Sequence, residues 1–273
     1  MVGNKRSGTS QLVRVLNLHP QVFISHESDI AWILFRFHNH QPFRPHAWDS
    51  DRGMRLTLAT AGHLLRHDAG PHENFVAAQK LVMETGTPWL APQQKTDLRW
   101  IGDKKPMQHT DPAVREFLSR HFPEAHFLHI VRHPFEVVAS SERFNQTPDG
   151  DFWLGLSPEE KMERWAFHEQ EVLKLRAALP GRVHSLRYED FCSDTRGTLT
   201  GILDFLQLKP DPQMLLKAAR QTWPRFHNAP AIRCSAEAQR VAEAHGYELR
   251  RRASRWKFLA HRAGWQMNKL FSR

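Results

Sequence analysis

Residues 3–10 read Gly-Asn-Lys-Arg-Ser-Gly-Thr-Ser, and this stretch decides how the rest of the chain is interpreted. Gly3 and Gly8 have the spacing of a phosphate-binding loop, G-x-x-x-x-G-K-[ST], but Thr9 stands where that motif carries its lysine. In nucleoside triphosphatases this lysine reaches the β- and γ-phosphates. Its replacement, with two cations inside the loop instead, predicts a site for one short anionic group rather than for a metal-bound triphosphate.

The loop has the residue types that bring a backbone close to an anion. Glycine permits conformations closed to other residues, Ser7 and Ser10 offer hydroxyl groups, and Lys5 and Arg6 supply positive charge. Residues 10–18 follow with apolar side chains at helical spacing, and a helix N-terminus directs free N–H groups at an anion. An anion site is therefore expected here, with an ordinary glycine turn before a helix as the alternative.

The charge of the chain is unevenly distributed. The 273 residues are 40% hydrophobic and 25% charged, and the net charge is +9. The segment 249–273 contains eight cations and no acidic residue, which leaves +1 for residues 1–248. A uniformly basic nucleic-acid-binding protein would not show this distribution, so no nucleic acid partner is expected.

The chain is expected to be a cytoplasmic protein with one domain at 1–248 and a basic amphipathic tail at 249–273. No apolar stretch has the length of a membrane span, no signal peptide follows Met1, and Cys192 and Cys234 are too few for a disulfide framework. In the tail, apolar residues recur at helical spacing between arginines. It is a candidate for peripheral contact with an anionic membrane, for binding an acidic acceptor, or for docking on the domain.

Strand-like and helical segments alternate along the chain, which predicts an α/β fold. Short apolar runs predict strands at 22–24, 126–131 and 183–186. A serine N-cap followed by proline and glutamate predicts a helix from Ser157 to about Leu179. The other predicted helices cover 54–66 and 73–84 and begin at Asp211 and Ser235.

A second candidate for anion binding follows the strand predicted at 126–131. Arg132 comes directly after it, at the carboxyl edge where open α/β sheets bind ligands. Pro134 starts a helix, and Ser140 lies roughly two turns along it. An arginine with a hydroxyl group can clamp a phosphate, so the pair predicts a second phosphate site, with a surface arginine and a solvated serine as the alternative.

Together the two segments resemble the sulfotransferases that use 3′-phosphoadenosine-5′-phosphosulfate (PAPS). The resemblance lies in Arg-Ser-Gly-Thr-Ser at 6–10 and in Val-Arg-His-Pro at 131–134 followed by Ser140. It extends over 3–190 and implies a single α/β domain with a P-loop-like central parallel sheet, flanking helices and helical insertions. Shorter matches occur in the same order: His-Pro at 19–20, Asp-Lys-Lys-Pro at 103–106, Phe-Pro-Glu-Ala at 122–125 and Tyr-Glu-Asp at 188–190.

The resemblance also implies roles for individual residues. Catalysis would depend on Glu27 as general base, and on Lys104 and Arg6 as cations that stabilise the leaving oxygen. No segment beyond Asp190 matches a part of the family's nucleotide site. The nucleotide-binding residues would be Arg6, Ser7, Gly8, Thr9 and Ser10 at the 5′-phosphosulfate, Arg132 and Ser140 at the 3′-phosphate, and Tyr188.

Other assignments stay open within this scheme. His26 and His109 are rival bases because histidine titrates near neutrality, and Lys105 is a rival for Lys104. No metal is expected for the transfer, and the histidines at 38, 40 and 46 lack the cysteine or carboxylate that would complete a usual zinc site.

The expected function is sulfuryl transfer from PAPS as co-substrate to a hydroxyl group, or less favourably an amine, of a glycan, a protein tyrosine or a small metabolite. Trp48 and Trp89 lie in loops that could line an acceptor cleft. A P-loop kinase or nucleotidase is the first alternative, and Thr9 disfavours it. The second is a non-enzymatic protein whose basic tail binds a membrane or nucleic acid, and the near-neutrality of residues 1–248 disfavours it.

Overall fold

The computed structural model describes residues 1–47, 50–147, 150, 153–225, 227 and 232–249. The chain divides into two compact units: unit 1 is Met1–Val2 with Thr9–Leu128, and unit 2 is Gly3–Gly8 with His129–Arg273. The predictions for Trp48 and for residues 250–273 of the tail lie outside the described residues.

Unit 1 is built on a parallel pair of strands. Strands β1 (Val22–His26) and β2 (Trp100–Lys104) pair with His26 opposite Lys104, so that both carboxyl ends lie at the same edge. The helices of unit 1 are α1 (Thr9–Leu16), α2 (Ile30–His38), α3 (Arg52–Ala61), α4 (Pro71–Thr85) and α5 (Pro112–His121), with 3₁₀ turns at Gly62–Leu64 and Gln108–Thr110.

Helix α1 ends at Leu16, before the end of the predicted helix at residues 10–18. The next residue, Asn17, uses its side chain to bond the backbone of β1 instead. The side chain of Asn17 donates to Ile24 O at 2.9 Å and accepts from Ile24 N at 2.8 Å. Leu12 and Leu16 on the predicted inward face are fully buried. The middle of β1 is thus joined to the residue that follows α1.

The core of unit 1 consists of the apolar face of α2 and the side chains that pack on it. Its buried members include Phe23 of β1, Ile33 and Leu34 of α2, Val82 of α4 and Phe117 of α5. The run Ile-Ala-Trp-Ile-Leu-Phe at 30–35 supplies this face, and burial of such side chains stabilises by about 1.5–3 kcal/mol each.

Unit 2 contains a second two-stranded sheet and most of the remaining helices. Strand β3 (Phe127–Val131), which crosses the division between the units, pairs with β4 (Val183–Arg187). The helices are α6 (Pro134–Phe144), α7 (Pro158–Ala178), α8 (Tyr188–Ser193), α9 (Thr195–Phe205), α10 (Pro212–Gln221) and α11 (Ala236–Ala244).

Helix α7 begins with the predicted capping box. The hydroxyl of Ser157 accepts from Glu160 N at 3.2 Å, and the Glu160 carboxylate accepts from Ser157 N at 2.7 Å. The helix carries Trp165 and Glu169 on its buried face, both with essentially no exposed surface. Glu169 is a carboxylate in the interior of unit 2 and needs buried donors.

These elements confirm the predicted α/β fold, with parallel strands flanked by helices. Among the described helices, none combines the length and apolar character needed to cross a bilayer. Cys192 and Cys234 are free thiols. Burial raises the pKa of Cys192 to about 12, so this thiol stays protonated at neutral pH.

Candidate active site

The phosphate loop has a backbone conformation that few residues tolerate. Gly3 (φ 128°), Arg6 (φ 69°) and Gly8 (φ 96°) all have positive φ angles. For a non-glycine residue such as Arg6 this conformation costs on the order of 1–3 kcal/mol, and such strain concentrates at ligand sites. In the chain, α1 starts at the next residue, Thr9, so the N-terminal end of a helix follows the loop directly.

Side chains of unit 2 hold the loop in this shape. Asn4 Nδ2 donates to Glu169 Oε1 at 2.7 Å and to Trp165 O at 3.3 Å on α7. Gly8 lies flat against Tyr188, since a Cβ atom at position 8 would sit 2.4 Å from Cδ2 of that ring. The loop is therefore fixed at both ends by buried contacts.

Three of the predicted nucleotide ligands meet beside the loop. Arg6 Nε donates to Ser140 Oγ at 3.2 Å, and Arg132 Nη1 donates to Arg6 O at 3.1 Å. The Arg6 guanidinium also lies 4.6 Å from the ring centre of Phe144. Within unit 2 the structure thus groups Arg6 with the pair predicted for the 3′-phosphate.

A segment that the sequence did not single out joins these residues. Arg225 N donates to Tyr188 Oη at 3.0 Å, Arg132 Nη2 donates to Arg225 O, and His227 N donates to Glu136 Oε2 at 2.8 Å. The available signal was Trp-Pro-Arg at 223–225, a cation beside an aromatic residue in an irregular stretch. We call Arg6, Arg132, Ser140 and Arg225 the arginine cluster.

The arginine cluster carries more positive charge than its protein partners neutralise. Burial, together with Arg132 and Arg225, lowers the pKa of Arg6, which shows that the cations repel one another. Glu136 Oε2 accepts from Arg132 Nη2 at 3.0 Å. Ser7 Oγ and Arg132 Nε are buried and have no hydrogen-bond partner within the part of the chain that the structure describes, although buried polar atoms are normally paired. Hydrogen-bond donors without partners, placed among neighbouring arginines, are suited to bind an anionic ligand.

Tyr188 supports the loop and the cluster from the protein side. Its side chain is buried, its ring faces the Arg132 guanidinium at 4.6 Å, and its hydroxyl donates to Trp223 O at 3.4 Å. Burial raises the pKa of Tyr188 above its ordinary value, so the phenol stays neutral. The predicted direct contact between Tyr188 and the nucleotide stays a prediction.

In unit 1 the predicted base and cation lie side by side at the carboxyl ends of β1 and β2. Glu27 N donates to Lys104 O at 3.1 Å, and Lys104 Nζ forms an ion pair with Glu27 Oε1. Lys104 Nζ also donates to Ser10 Oγ at 3.4 Å. This parallel register explains why residues 77 positions apart meet.

A second lysine contacts the same carboxylate. Lys105 Nζ lies 3.2 Å from Glu27 Oε2 and 3.0 Å from Asp29 Oδ2, while Gln108 Nε2 donates to Asp29 Oδ1 at 2.6 Å. Lys105, which the sequence offered as a rival for Lys104, is thus present beside it. We call Glu27, Asp29, Lys104 and Lys105 the lysine cluster.

The lysines set the ionisation of the candidate bases. Burial acts to raise the pKa of Glu27, but Lys104 and Lys105 outweigh it and hold that pKa well below its ordinary value. Burial and then Lys104 lower the pKa of His26 to about 3. Glu27 is therefore ionised and His26 neutral at pH 7. His109 lies in the Gln108–Thr110 turn, where its carbonyl accepts from Arg115 Nη1 at 2.9 Å.

The turn that carries Glu27 is strained and tightly packed. Glu27 (φ 55°) and Asp29 (φ 56°) both have left-handed backbone conformations. Helix α3 closes on the turn so tightly that a Cβ atom on Gly53 would lie 2.2 Å from Glu27 O. Nearby, the Trp89 ring centre is 6.3 Å from that of His26, and the indole is partly exposed.

A family assignment follows from a match over most of the chain. The model of the sulfotransferase family matches residues 1–212. This chain belongs to the sulfotransferase family. The resemblance seen in the sequence is thereby confirmed, and the protein is an enzyme of sulfate transfer that acts on an acceptor. No curated protein matches the sequence.

Solved structures share the fold over most of the chain. The sulfotransferase domain from the curacin biosynthetic pathway is 20% identical, with a TM-score of 0.59 over 91% of this chain and 97% of that chain. The sulfotransferase domain of the Synechococcus PCC 7002 olefin synthase is 19% identical, with a TM-score of 0.59 over 91% and 94%. A sulfotransferase from Alicyclobacillus acidocaldarius is 18% identical, with a TM-score of 0.50 over 81% and 90%.

Proposed function

We propose that this sulfotransferase moves the sulfuryl group of PAPS to an acceptor hydroxyl, or less favourably an amine, by in-line displacement. The observation that carries the proposal is the convergence of Arg6, Arg132 and Ser140 beside a strained phosphate loop within one unit. A donor with phosphates at both the 3′ and 5′ positions needs two anion sites, and the sequence carries two.

In this proposal the arginine cluster binds the 3′-phosphate. Arg132 has a buried Nε without a partner, and Arg6 and Ser140 supply further donors. Charge-assisted hydrogen bonds of this kind are shorter and about twice as strong as neutral ones. Arg225 extends the set from the C-terminal side, so the proposed site is more complete than the motifs alone indicate.

The 5′-phosphosulfate is proposed to bind to the loop and to the first residues of α1. The hydroxyl of Ser7 is buried and unpaired, and the N–H groups at the start of α1, Thr9 and Ser10 among them, follow the loop. Helix N-termini and glycine loops bind phosphate and sulfate groups well. Within unit 1, Lys104 Nζ donates to Ser10 Oγ at 3.4 Å, and this contact supports the choice of Lys104 as a cation for the leaving oxygen.

The transfer step is assigned to Glu27 and Lys104. Glu27 takes the proton of the acceptor as the acceptor oxygen bonds to sulfur. The bond between sulfur and the 5′-phosphate oxygen breaks, and Lys104 stabilises the negative charge that this oxygen gains. The products are the sulfated acceptor and adenosine 3′,5′-bisphosphate. Arg6, which the resemblance offered as a second cation for this oxygen, is proposed for the 3′-phosphate instead, because it contacts Ser140 and Arg132.

The two lysines explain how a carboxylate with a depressed pKa can act as a base. In the free protein Glu27 is held by both Lys104 and Lys105, so it accepts a proton poorly. An anionic donor that draws Lys104 away removes the larger of these two stabilising charges. The pKa of Glu27 then rises and the base becomes competent only with donor bound.

The acceptor is proposed to approach Glu27 past Trp89 and His26. The Arg52 guanidinium lies 5.3 Å from the Trp89 ring centre, so this wall of unit 1 presents an aromatic face and a cation. A glycan, a protein tyrosine and a small metabolite are the acceptor classes to compare. Loops of this kind vary among relatives and carry specificity.

The test is a transfer assay with ³⁵S-labelled PAPS against representatives of the three acceptor classes, run beside ATP with magnesium. We expect labelled product from at least one acceptor, formation of adenosine 3′,5′-bisphosphate, and no magnesium-dependent ATP turnover. ATP hydrolysis or phosphoryl transfer without binding of adenosine 3′,5′-bisphosphate would instead support the kinase or nucleotidase alternative.

A further inference from the structure

Three side chains with metal-ligating atoms converge inside unit 2, apart from the residues assigned to the transfer. His129 comes from β3, Glu169 from the middle of α7, and His245 follows the last residue of α11. One nitrogen of each histidine and one oxygen of Glu169 lie within 4.8 Å of one another. We propose that this triad is a binding site for a divalent transition metal such as zinc, held by three protein ligands.

The distances from the two histidines to Glu169 fit such an ion with small adjustments. His129 Nε2 lies 2.8 Å and His245 Nε2 lies 3.5 Å from the same atom, Glu169 Oε2. Zinc binds histidine nitrogen and carboxylate oxygen at about 2.0–2.2 Å, which places neighbouring ligands of a tetrahedron about 3.3 Å apart. Side-chain movements of a few tenths of an ångström bring both measured distances to that value.

A cation satisfies this group better than hydrogen bonds alone. A proton on His129 Nε2 serves one contact to Glu169, but His245 Nε2 is buried and has no hydrogen-bond partner among the described residues. The side chains of His129 and Glu169 have no exposed surface, and that of His245 has 5%. Imidazole nitrogens suit zinc, copper, iron and nickel, and a carboxylate oxygen is also a usual ligand of zinc.

Neighbouring groups orient two of the ligands as a metal site requires. His129 Nδ1 lies 3.1 Å from Ser185 Oγ. A donated Nδ1–H at this contact leaves the lone pair of Nε2 for a metal. The other oxygen of Glu169 accepts from Asn4 Nδ2 at 2.7 Å. A metal at the triad would therefore brace the phosphate loop through Asn4.

The chain offers a matched pair of histidine variants. His245→Gln removes one proposed ligand, and His184→Gln removes a half-buried histidine of β4 in the same unit, whose ring packs on Phe205. Protein is purified without metal-affinity resin, and zinc is measured by mass spectrometry. We expect about one zinc per wild-type chain and per H184Q chain, and less than about a tenth of that in H245Q.

Two further measurements keep the proposal decidable if H245Q folds poorly. Wild-type protein stripped with EDTA should regain several degrees of Tm when zinc chloride is added. Cobalt(II) in place of zinc should give the visible bands of a tetrahedral site. Wild-type protein that contains no zinc and shows no Tm response, or H245Q that binds zinc as tightly as the wild type, would overturn the site. Neither result depends on the sulfuryl-transfer proposal.

Discussion

The two clusters use buried cations in opposite ways. In the lysine cluster of unit 1, two lysines face two carboxylates, and each lysine contacts Glu27. In the arginine cluster of unit 2, Arg6 and Arg132 repel each other, and Arg132 leaves a buried donor unpaired. Burying cations that are incompletely paired costs free energy, and an arriving anion offsets that cost. The comparison indicates that the arginine cluster is suited to bind an anion. In the lysine cluster, by contrast, the lysines keep the candidate base Glu27 ionised until a ligand changes its contacts.

The sharpest test of the lysine cluster is Glu27→Gln, which keeps the shape of the side chain and removes the base. We expect kcat to fall by about 10²–10⁴-fold, the usual contribution of general base catalysis, with little change in affinity for adenosine 3′,5′-bisphosphate. Steady-state kinetics and calorimetry measure the two effects, and Glu84→Gln on the exposed face of α4 is the control. Undiminished turnover would move the base to His26 or His109.

The matching test of the arginine cluster is Arg132→Ala. Hydrogen bonds to charged groups contribute about 1.5–3 kcal/mol each, so affinity for adenosine 3′,5′-bisphosphate should fall by about 10–100-fold. Calorimetry measures it, with Arg196→Ala on the exposed side of α9 as the control. If both variants bind equally well, the cluster is a structural feature rather than a nucleotide site.

Acid should weaken the ion pairs of Glu27 in the lysine cluster and so lower the Tm of the protein. The folded pKa of Glu27 lies below its unfolded value of about 4.3. Its stabilising contribution is therefore complete above that pH and is lost as the pH falls below it. The Tm of the wild type should drop more steeply than that of Glu27→Gln between about pH 5 and pH 3. Parallel melting curves would mean that the ion pairs with Lys104 and Lys105 contribute no net stability.

The smallest expected effect concerns Tyr188→Phe. The ring that packs on Gly8 and faces Arg132 remains, and the hydroxyl contacts with Arg225 N, Trp223 O and the Cys192 side chain are lost. A loss of about 0.5–1.5 kcal/mol is typical of such hydrogen bonds, which is about a 2- to 12-fold loss of nucleotide affinity. A loss as large as that of Arg132→Ala would indicate a direct contact with the nucleotide.

The sequence predicted those parts of the fold and site that depend on local signals. The glycine spacing of the loop, the capping box at Ser157 and the apolar strand before Arg132 all depend on neighbouring residues, and each is present in the structure. Arg132 lies just before α6 and Ser140 lies within it, and both contact Arg6. These features can be predicted from the sequence because the local preferences of the residues agree with the final fold.

The parts that escaped prediction depend on contacts between distant segments. Strand β2 carries Gly102, Asp103 and Lys104, a poor strand pattern that only its pairing with β1 stabilises. Arg225 reaches the site through an irregular segment without a motif. The depressed pKa of Glu27 needs Lys105 as well as Lys104, and spacing in the sequence does not show which lysine faces the carboxylate.

The most direct measurement compares adenosine 3′,5′-bisphosphate with adenosine 5′-phosphate in the wild type and in Arg132→Ala by calorimetry. The two ligands differ only in the 3′-phosphate. The account predicts that this phosphate strengthens binding by about 10–100-fold in the wild type and by little in the variant, because the arginine cluster is its receptor. An equal gain from the 3′-phosphate in both proteins would contradict the assignment of the cluster and, with it, the proposed donor.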